Sequence, residues 1–307
     1  MNSRIILRLA TVAALATGSA IVSAQGQLLP SYPKLGFGAS VTPAYDGWYD
    51  NADGTHTFLI GYYSRNWNEE IDIPIGANNK FEPGDPDRGQ PTHFRPNRNW
   101  GMYTVTVPKN FPANEHLWWT LTVNGVTSRV GMILSPDFNI TPQKSSEEAP
   151  NGKYNLPPVL RLSQGGPAIQ SPVATLASAI SKTATVGEAM PLELFVDDDA
   201  LYTSGTNAPM GRVPAIVTAT VSKYRGPGNV KAEDFKFTTL KGGKPMEDWS
   251  GKANGKVTFD KAGDYVLHVL INDFSGPGGG ATGCCWTDAM IKVNVKSQGA
   301  PRTTGQQ

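Results

Sequence analysis

A two-residue hydrophobic rhythm, broken by tight turns, constrains this chain more than anything else in it. Leu117, Trp119, Leu121 and Val123 alternate with Trp118, Thr120 and Thr122, and Asn124-Gly125 then leads straight into Val126. A period of two sends successive side chains to opposite faces of a strand. Asn-Gly between two such runs is the strongest short hairpin signal, because both turn residues must tolerate positive φ. In Trp100–Pro108 the rhythm recurs, with Tyr103, Val105 and Val107 on one face and Met102, Thr104 and Thr106 on the other. Asp50–Gly54 reads as a tight turn between Tyr45–Tyr49 and Thr57–Tyr63.

The second half repeats the pattern in Leu192, Leu194 and Val196, in Val217, Ala219 and Val221, and in Val257 and Phe259. It continues in Tyr265, Leu267, Val269 and Ile271, and ends with Ala289, Ile291, Val293 and Val295. Punctuated by 33 Gly and 24 Pro, these runs predict an all-β fold, read as two Ig-like β-sandwich domains in tandem after a signal peptide. Ala174–Ala184 is the one helix-like stretch.

The first residues carry Arg4 and Arg8, an alanine-rich apolar segment and the ending Val22-Ser23-Ala24. This is the pattern of a secretory signal with cleavage after Ala24, and it predicts a protein exported to the periplasm or beyond the cell. Its removal leaves acidic and basic residues almost balanced, which excludes the basic footprint of a nucleic-acid binder. No later run is long and apolar enough to span a bilayer as a helix. The expected organisation is a signal peptide over 1–24, an N-terminal sandwich over 30–135, a Pro-rich connector over 136–165, a second sandwich over 166–297 and a disordered tail over 298–307.

One order of features resembles a family. Pro191–Asp199 ends in Asp197-Asp198-Asp199, Val221–Gly228 reads Val-Ser-Lys-Tyr-Arg-Gly-Pro-Gly, and Ala262–Leu267 and Ile291–Val295 follow. Together they resemble the PKD-like and Ig-like modules of exported bacterial proteins over residues 185–296. The resemblance implies that Tyr265 is a corner tyrosine whose hydroxyl returns to backbone just upstream. The tryptophan usual near Val221 is missing, and Leu201–Val213 is an insertion. Residues 30–135 look like the N-terminal half of secreted bacterial proteins with the same two-domain plan.

Little of the sequence suggests catalysis. His56, His93, His116 and His268 are scattered, and there is no Gly-x-Ser-x-Gly elbow, phosphate loop or dinucleotide fingerprint. Cys284 and Cys285 are adjacent, which fits neither zinc spacing nor a Cys-x-x-Cys redox motif. They leave open a vicinal disulfide, paired thiols or intermolecular bridges. If oxidised, they form a rigid knob beside Trp286 on a glycine-rich contact loop. Asp197, Asp198, Asp199 and Asp273 offer oxygen ligands at strand ends, for which calcium is the candidate ion and no other cofactor is expected. Asp50, Asp53, Asp85 and Asp87 suit turns. The loop Gln90–Trp100 is a candidate polar surface or a structural connection.

Trp67, Trp100, Trp118 and Trp286 are the candidate binding aromatics, since an exposed ring on a sheet stacks a sugar or anchors a partner. Trp118 and Trp119 are neighbours in one strand, so they face opposite ways. The leading expectation is a non-catalytic exported module that binds a glycan, a protein or a surface. The alternatives are a polysaccharide hydrolase with paired carboxylates and an accessory subunit of another exported protein.

Overall fold

Each alternating run becomes a strand, and the predicted turns join them. The computed structural model describes residues 35–145, 152–171, 175–201, 216–242, 244, 247–273 and 284–298. The predicted signal segment, the tail from 299, the insertion beyond Leu201 and the loop 274–283 lie outside these residues. In the first half, β1 (Val41–Asp50) pairs antiparallel with β2 (His56–Ser64) across a turn in which Asp53 Oδ1 accepts the Thr55 amide at 2.9 Å. There follow β3 (Ile71–Asp72), β4 (Asn79–Glu82), β5 (His93–Phe94), β6 (Asn97–Val107), β7 (Leu117–Val123) and β8 (Val126–Met132). Between β7 and β8, Asn124 and Gly125 have φ of 49° and 78°, the positive values that the Asn-Gly hairpin demands.

The sheets β1-β2-β6 and β4-β7-β8 face one another, and β3 pairs with β5 beside them. Phe58, Ile60, Phe81, Tyr103 and Trp119 fill the space between. Trp119 stacks on Phe81 with centroids 6.0 Å apart, meets Tyr103 edge-on, and donates its indole N–H to Asn79 Oδ1 at 3.0 Å. That bond satisfies the one polar atom the buried indole carries.

The second half comprises β9 (Val159–Arg161), β10 (Ile180–Thr185), β11 (Met190–Asp198), β12 (Val217–Arg225), β13 (Val230–Ala232), β14 (Phe237–Lys241), β15 (Trp249–Phe259), β16 (Gly263–Asp273) and β17 (Trp286–Lys296). One sheet runs β10-β17-β16-β12 and the other β13-β15-β11-β9, with β14 also on β15. The alternating apolar residues of β11, β15, β16 and β17 meet between them. Tyr265 donates its hydroxyl to the Lys261 carbonyl at 2.8 Å, as expected of a corner tyrosine.

The helix-like reading of Ala174–Ala184 is overturned. The Thr175 and Ser178 hydroxyls bond each other and the local backbone, an arrangement that competes with a helix, and Ile180–Ala184 lie in β10. β10 pairs parallel with β17, a partner more than a hundred residues away. Among the described residues the only helical turn is a 3₁₀ turn at Pro136–Phe138.

Although the sequence reads as two bodies on a short connection, packing fuses them. From Lys34 onward the chain forms one compact unit. β16 and β17 are buried on both faces: Leu267, Val269 and Ile291 point into the second-half core, while Val266, Met290 and Tyr224 of β12 join the first-half core. Trp286, only 1% exposed, packs with Tyr49 and Leu59 of the first half, its ring against the bare backbone of Gly101. The loop before β5 grips the end of β12. Arg225 binds Asp87 through two bonds of 2.9 and 2.7 Å and also the Gln90 carbonyl, while the Tyr224 hydroxyl donates to Gly89 O at 2.6 Å. The polar loop therefore has a structural use.

Candidate binding face and acidic cleft

One ribbon of the first half presents large aromatics to solvent. Along β2 and its extension, Tyr62, Ser64 and Asn66 point inward and are buried, so Tyr63, Arg65 and Trp67 occupy the outer side. Arg98 of β6 stands directly opposite Tyr63, and Thr42 of β1 flanks Tyr63 on its other side. The Arg98 guanidinium lies over the Trp100 ring at 3.8 Å, and that of Arg65 over Tyr63 at 5.2 Å. Read along the register, Trp100, Arg98, Tyr63, Arg65 and Trp67 form a ladder in which aromatic and guanidinium residues alternate, with a guanidinium over the ring at Trp100 and at Tyr63.

Trp67 is 56% exposed and Trp100 38%. At the Trp67 end the backbone is held by residues 35 and 36: the Trp67 amide donates to Leu35 O at 2.9 Å and the Asn68 amide to Gly36 O.

The ladder is anchored from below. Buried Asp46 forms an ion pair with Arg98 and accepts the Gly101 amide at 2.8 Å. Burial pushes the Asp46 carboxyl up to about 6, against the pull of Arg98 and the Gly101 amide. Arg65 donates to Thr42 Oγ1. Both guanidiniums are thus oriented before any ligand arrives.

The other candidate aromatics have different fates. Trp118 points outward from its sheet, as its position beside buried Trp119 requires, but His116 stacks on it at 5.0 Å and the Arg129 guanidinium lies over it at 3.7 Å. Trp286 corrects the expectation of an exposed contact loop: it is interior, and Cys284 and Cys285 are buried with it. Those two cysteines are bonded to each other as a vicinal disulfide. Their sulfurs sit 3.9 and 3.4 Å from the Asn155 carbonyl oxygen, so the ring props an internal segment instead of forming a surface knob. A strand buried on both faces explains this, since β17 needs apolar contacts on each side. On the same face, His268 Nε2 lies 3.3 Å from Asp288 Oδ1, both buried, and the Trp286 indole donates to Asp288 Oδ2.

The acidic run ends β11 in a cleft of about 330 Å³ lined by Asp197, Asp198, Asp199, Asp248, Lys241 and Trp249. Arg161 pairs with Asp197, and Asp199 accepts the amides of Leu156 and Leu201. Asp198 accepts the Ala200 amide through Oδ1, while its buried Oδ2 meets no partner. Burial, reinforced by the charge of Asp273, pushes Asp198 up to about 8. Asp273 itself accepts the Asn155 side-chain amide at 2.6 Å. Among the described residues no three His, Cys, Asp or Glu side chains converge as a metal cluster. Asn155 was not legible as a partner because only the tertiary fold brings the connector to Asp273.

A second polar cleft, about 220 Å³, lies between the halves and is lined by Glu70, His93, Arg95 and Lys223, among others. His93 bonds Asp72 at 2.9 Å and Glu70 at 3.0 Å, and Lys223 reaches Asp72 at 2.8 Å. Burial opposes the charged imidazole, but the bonds to Asp72 and Glu70 outweigh it and hold His93 above its ordinary value. Hydrogen bonding from His93 holds Glu70 below its own. A raised His pKa stabilises the fold fully below the unfolded value and loses that contribution as pH rises through the folded value; the depressed Glu behaves in the opposite sense. The stability advantage of the native chain over His93→Gln is therefore expected to be largest near about pH 5–6 and to shrink by about pH 8–9. Melting curves of both proteins across that range check this; an advantage independent of pH would contradict it.

Comparison with known proteins gives no family assignment. No family model matches the chain, and no curated protein matches it. Among solved structures it is similar to domains 4 and 5 of the S-layer protein SbsC, with 10% identity over 84% of this chain and 98% of that one and a TM-score of 0.20. It is also similar to a protein of unknown function from Porphyromonas gingivalis W83, with 8% identity over 83% and 99% and a TM-score of 0.18. CfaE, the adhesive subunit of CFA/I fimbria of enterotoxigenic Escherichia coli, gives 9% identity over 84% and 79% and a TM-score of 0.19. Scores this low carry no functional argument. No helix among the described residues is long and apolar enough to cross a membrane.

Proposed function

We propose that this chain is an exported, non-catalytic binding module that recognises polysaccharide through the ladder Trp100–Arg98–Tyr63–Arg65–Trp67. The single observation that supports it is the alternation itself. Exposed aromatic planes suit the apolar faces of sugar rings, and fixed guanidiniums between them suit the hydroxyls and carboxylates around each ring. Among the described residues Trp67 and Trp100 are exposed at the two ends of the ribbon, which suits a chain lying across it. The second half acts as a rigid back, read here as Ig-like from its strand order, β9-β11-β15-β13 against β10-β17-β16-β12, and from the Tyr265 corner.

Electrophoresis through gels containing neutral or acidic polysaccharides tests the reading. At least one polymer should retard the protein in proportion to its concentration; unchanged mobility throughout a broad panel would end the proposal. The acidic cleft favours a second reading, a polysaccharide hydrolase. However, Arg161 occupies Asp197 and two backbone amides occupy Asp199, so two of the four carboxyls lining that cleft are already engaged. No new reducing ends are expected from any polymer that binds.

A further inference from the structure

We propose that the corner formed by Asp198, Asp273 and Asn155 is a calcium site that fastens the connecting segment to both sheets of the second half. Two strand ends and the connector meet there. Asp198 ends β11 in one sheet and Asp273 ends β16 in the other, while Asn155 belongs to the connector between the halves. Asn155 donates its side-chain amide to Asp273, and the next residue, Leu156, donates its backbone amide to Asp199. The connector thus crosses directly over the two acidic strand ends.

The oxygens left over point to a cation. Asp198 is 7% exposed and its Oδ2 has no partner; Asn155 is 1% exposed and its Oδ1 has none either. An orphan carboxylate oxygen and an orphan amide oxygen, both buried and both beside a second carboxylate, are acceptors without a donor. Buried acceptors are costly unless satisfied. A hard cation satisfies them together, and calcium takes such mixed carboxylate and amide oxygens in flexible geometry, filling the remaining positions with carbonyls and water. The field agrees in sign: Asp197, Asp198, Asp199 and Asp248 line the adjoining cleft against Lys241. The vicinal disulfide contributes by packing on the Asn155 carbonyl, and the Ser145 hydroxyl accepts the Asn155 amide at 3.0 Å. With only two carboxylates engaged, the affinity belongs to the class of extracellular sites, with dissociation constants of about 10⁻⁴–10⁻³ M.

The test is calorimetric titration of calcium chloride into the chelator-treated protein, paired with melting curves. Calcium should bind with measurable heat and raise the melting midpoint by a few degrees at about ten times its dissociation constant. Asn155→Ala should weaken binding roughly 10- to 100-fold. Asp198→Asn keeps the shape of the side chain but removes the carboxylate that calcium needs, so without calcium it should melt close to the native protein, yet its midpoint should no longer respond to calcium. A native protein indifferent to calcium would overturn the proposal and leave Asp198 and Asp273 as an acid pair sharing a proton. A calcium response that survives intact in Asp198→Asn would overturn it too, by placing the ion elsewhere.

Discussion

Replacing Trp286 by alanine is expected to lower stability by about 3–5 kcal/mol, the range for removing a fully buried tryptophan. In a unit of this size each kcal/mol moves the melting midpoint by about 2–4 °C, so a fall of roughly 6–20 °C should follow. The reason lies in position. Trp286 sits where the two halves meet, with Tyr49 and Leu59 around it and Gly101 against its ring. Its loss opens a cavity at the seam, and the indole bond to Asp288 goes with it. Differential scanning calorimetry reads the effect. A loss below about 1 kcal/mol would mean that the halves do not pack tightly at this point.

Gly226→Ala should be nearly as damaging. Gly226 has φ of 148°, a conformation side chains rarely adopt, and a Cβ there would overlap the Tyr265 ring. Backbone strain and overpacking each cost about 1–3 kcal/mol, which together suggest a loss of about 3 kcal/mol. Gly76→Ala isolates the two parts, since Gly76 has φ of 152° but nothing within 4 Å of its would-be Cβ. The difference between the two variants in chemical denaturation should be the contribution of the corner tyrosine's ring. Equal losses would assign the whole effect to backbone conformation.

How much of this was readable from sequence depends on whether the signal was local. The Asn124-Gly125 hairpin and the period-two strands around it carry their own instructions, and those strands form where expected. Thr175–Ser178 misled because apolar spacing there suggests a helix while the hydroxyls favour a turn. Nothing local announces that β10 pairs with β17 or that loop 85–93 grips β12, since such pairings are decided by residues over a hundred positions apart.

Burial of the second face is the general blind spot. Alternation tells which side chains share a face, not that another half of the molecule covers it. Trp286 therefore reads as exposed when it is interior. Asp288 and His268, polar residues within apolar strands, carry the one hint, because a polar group in such a strand calls for a partner on the face it occupies. Trp67 and Trp100 were identifiable as candidates, but the ladder was not. Its rungs Arg98 and Tyr63 become neighbours only through the β2 and β6 register.

One set of titrations tests the recognition face most directly. The polysaccharide that retards the native protein is titrated into the native protein, into Trp67→Ala/Trp100→Ala and into Trp118→Ala. Both tryptophans of the double variant are exposed, so its melting midpoint should stay close to native. Its affinity should fall at least about 30-fold, equivalent to about 2 kcal/mol, as for aromatic anchors at the centre of an interface. Trp118 lies on a different sheet from the ladder, so Trp118→Ala should bind as the native protein does. Undiminished binding by the folded double variant, or a loss confined to Trp118→Ala, would contradict the assignment of the ladder.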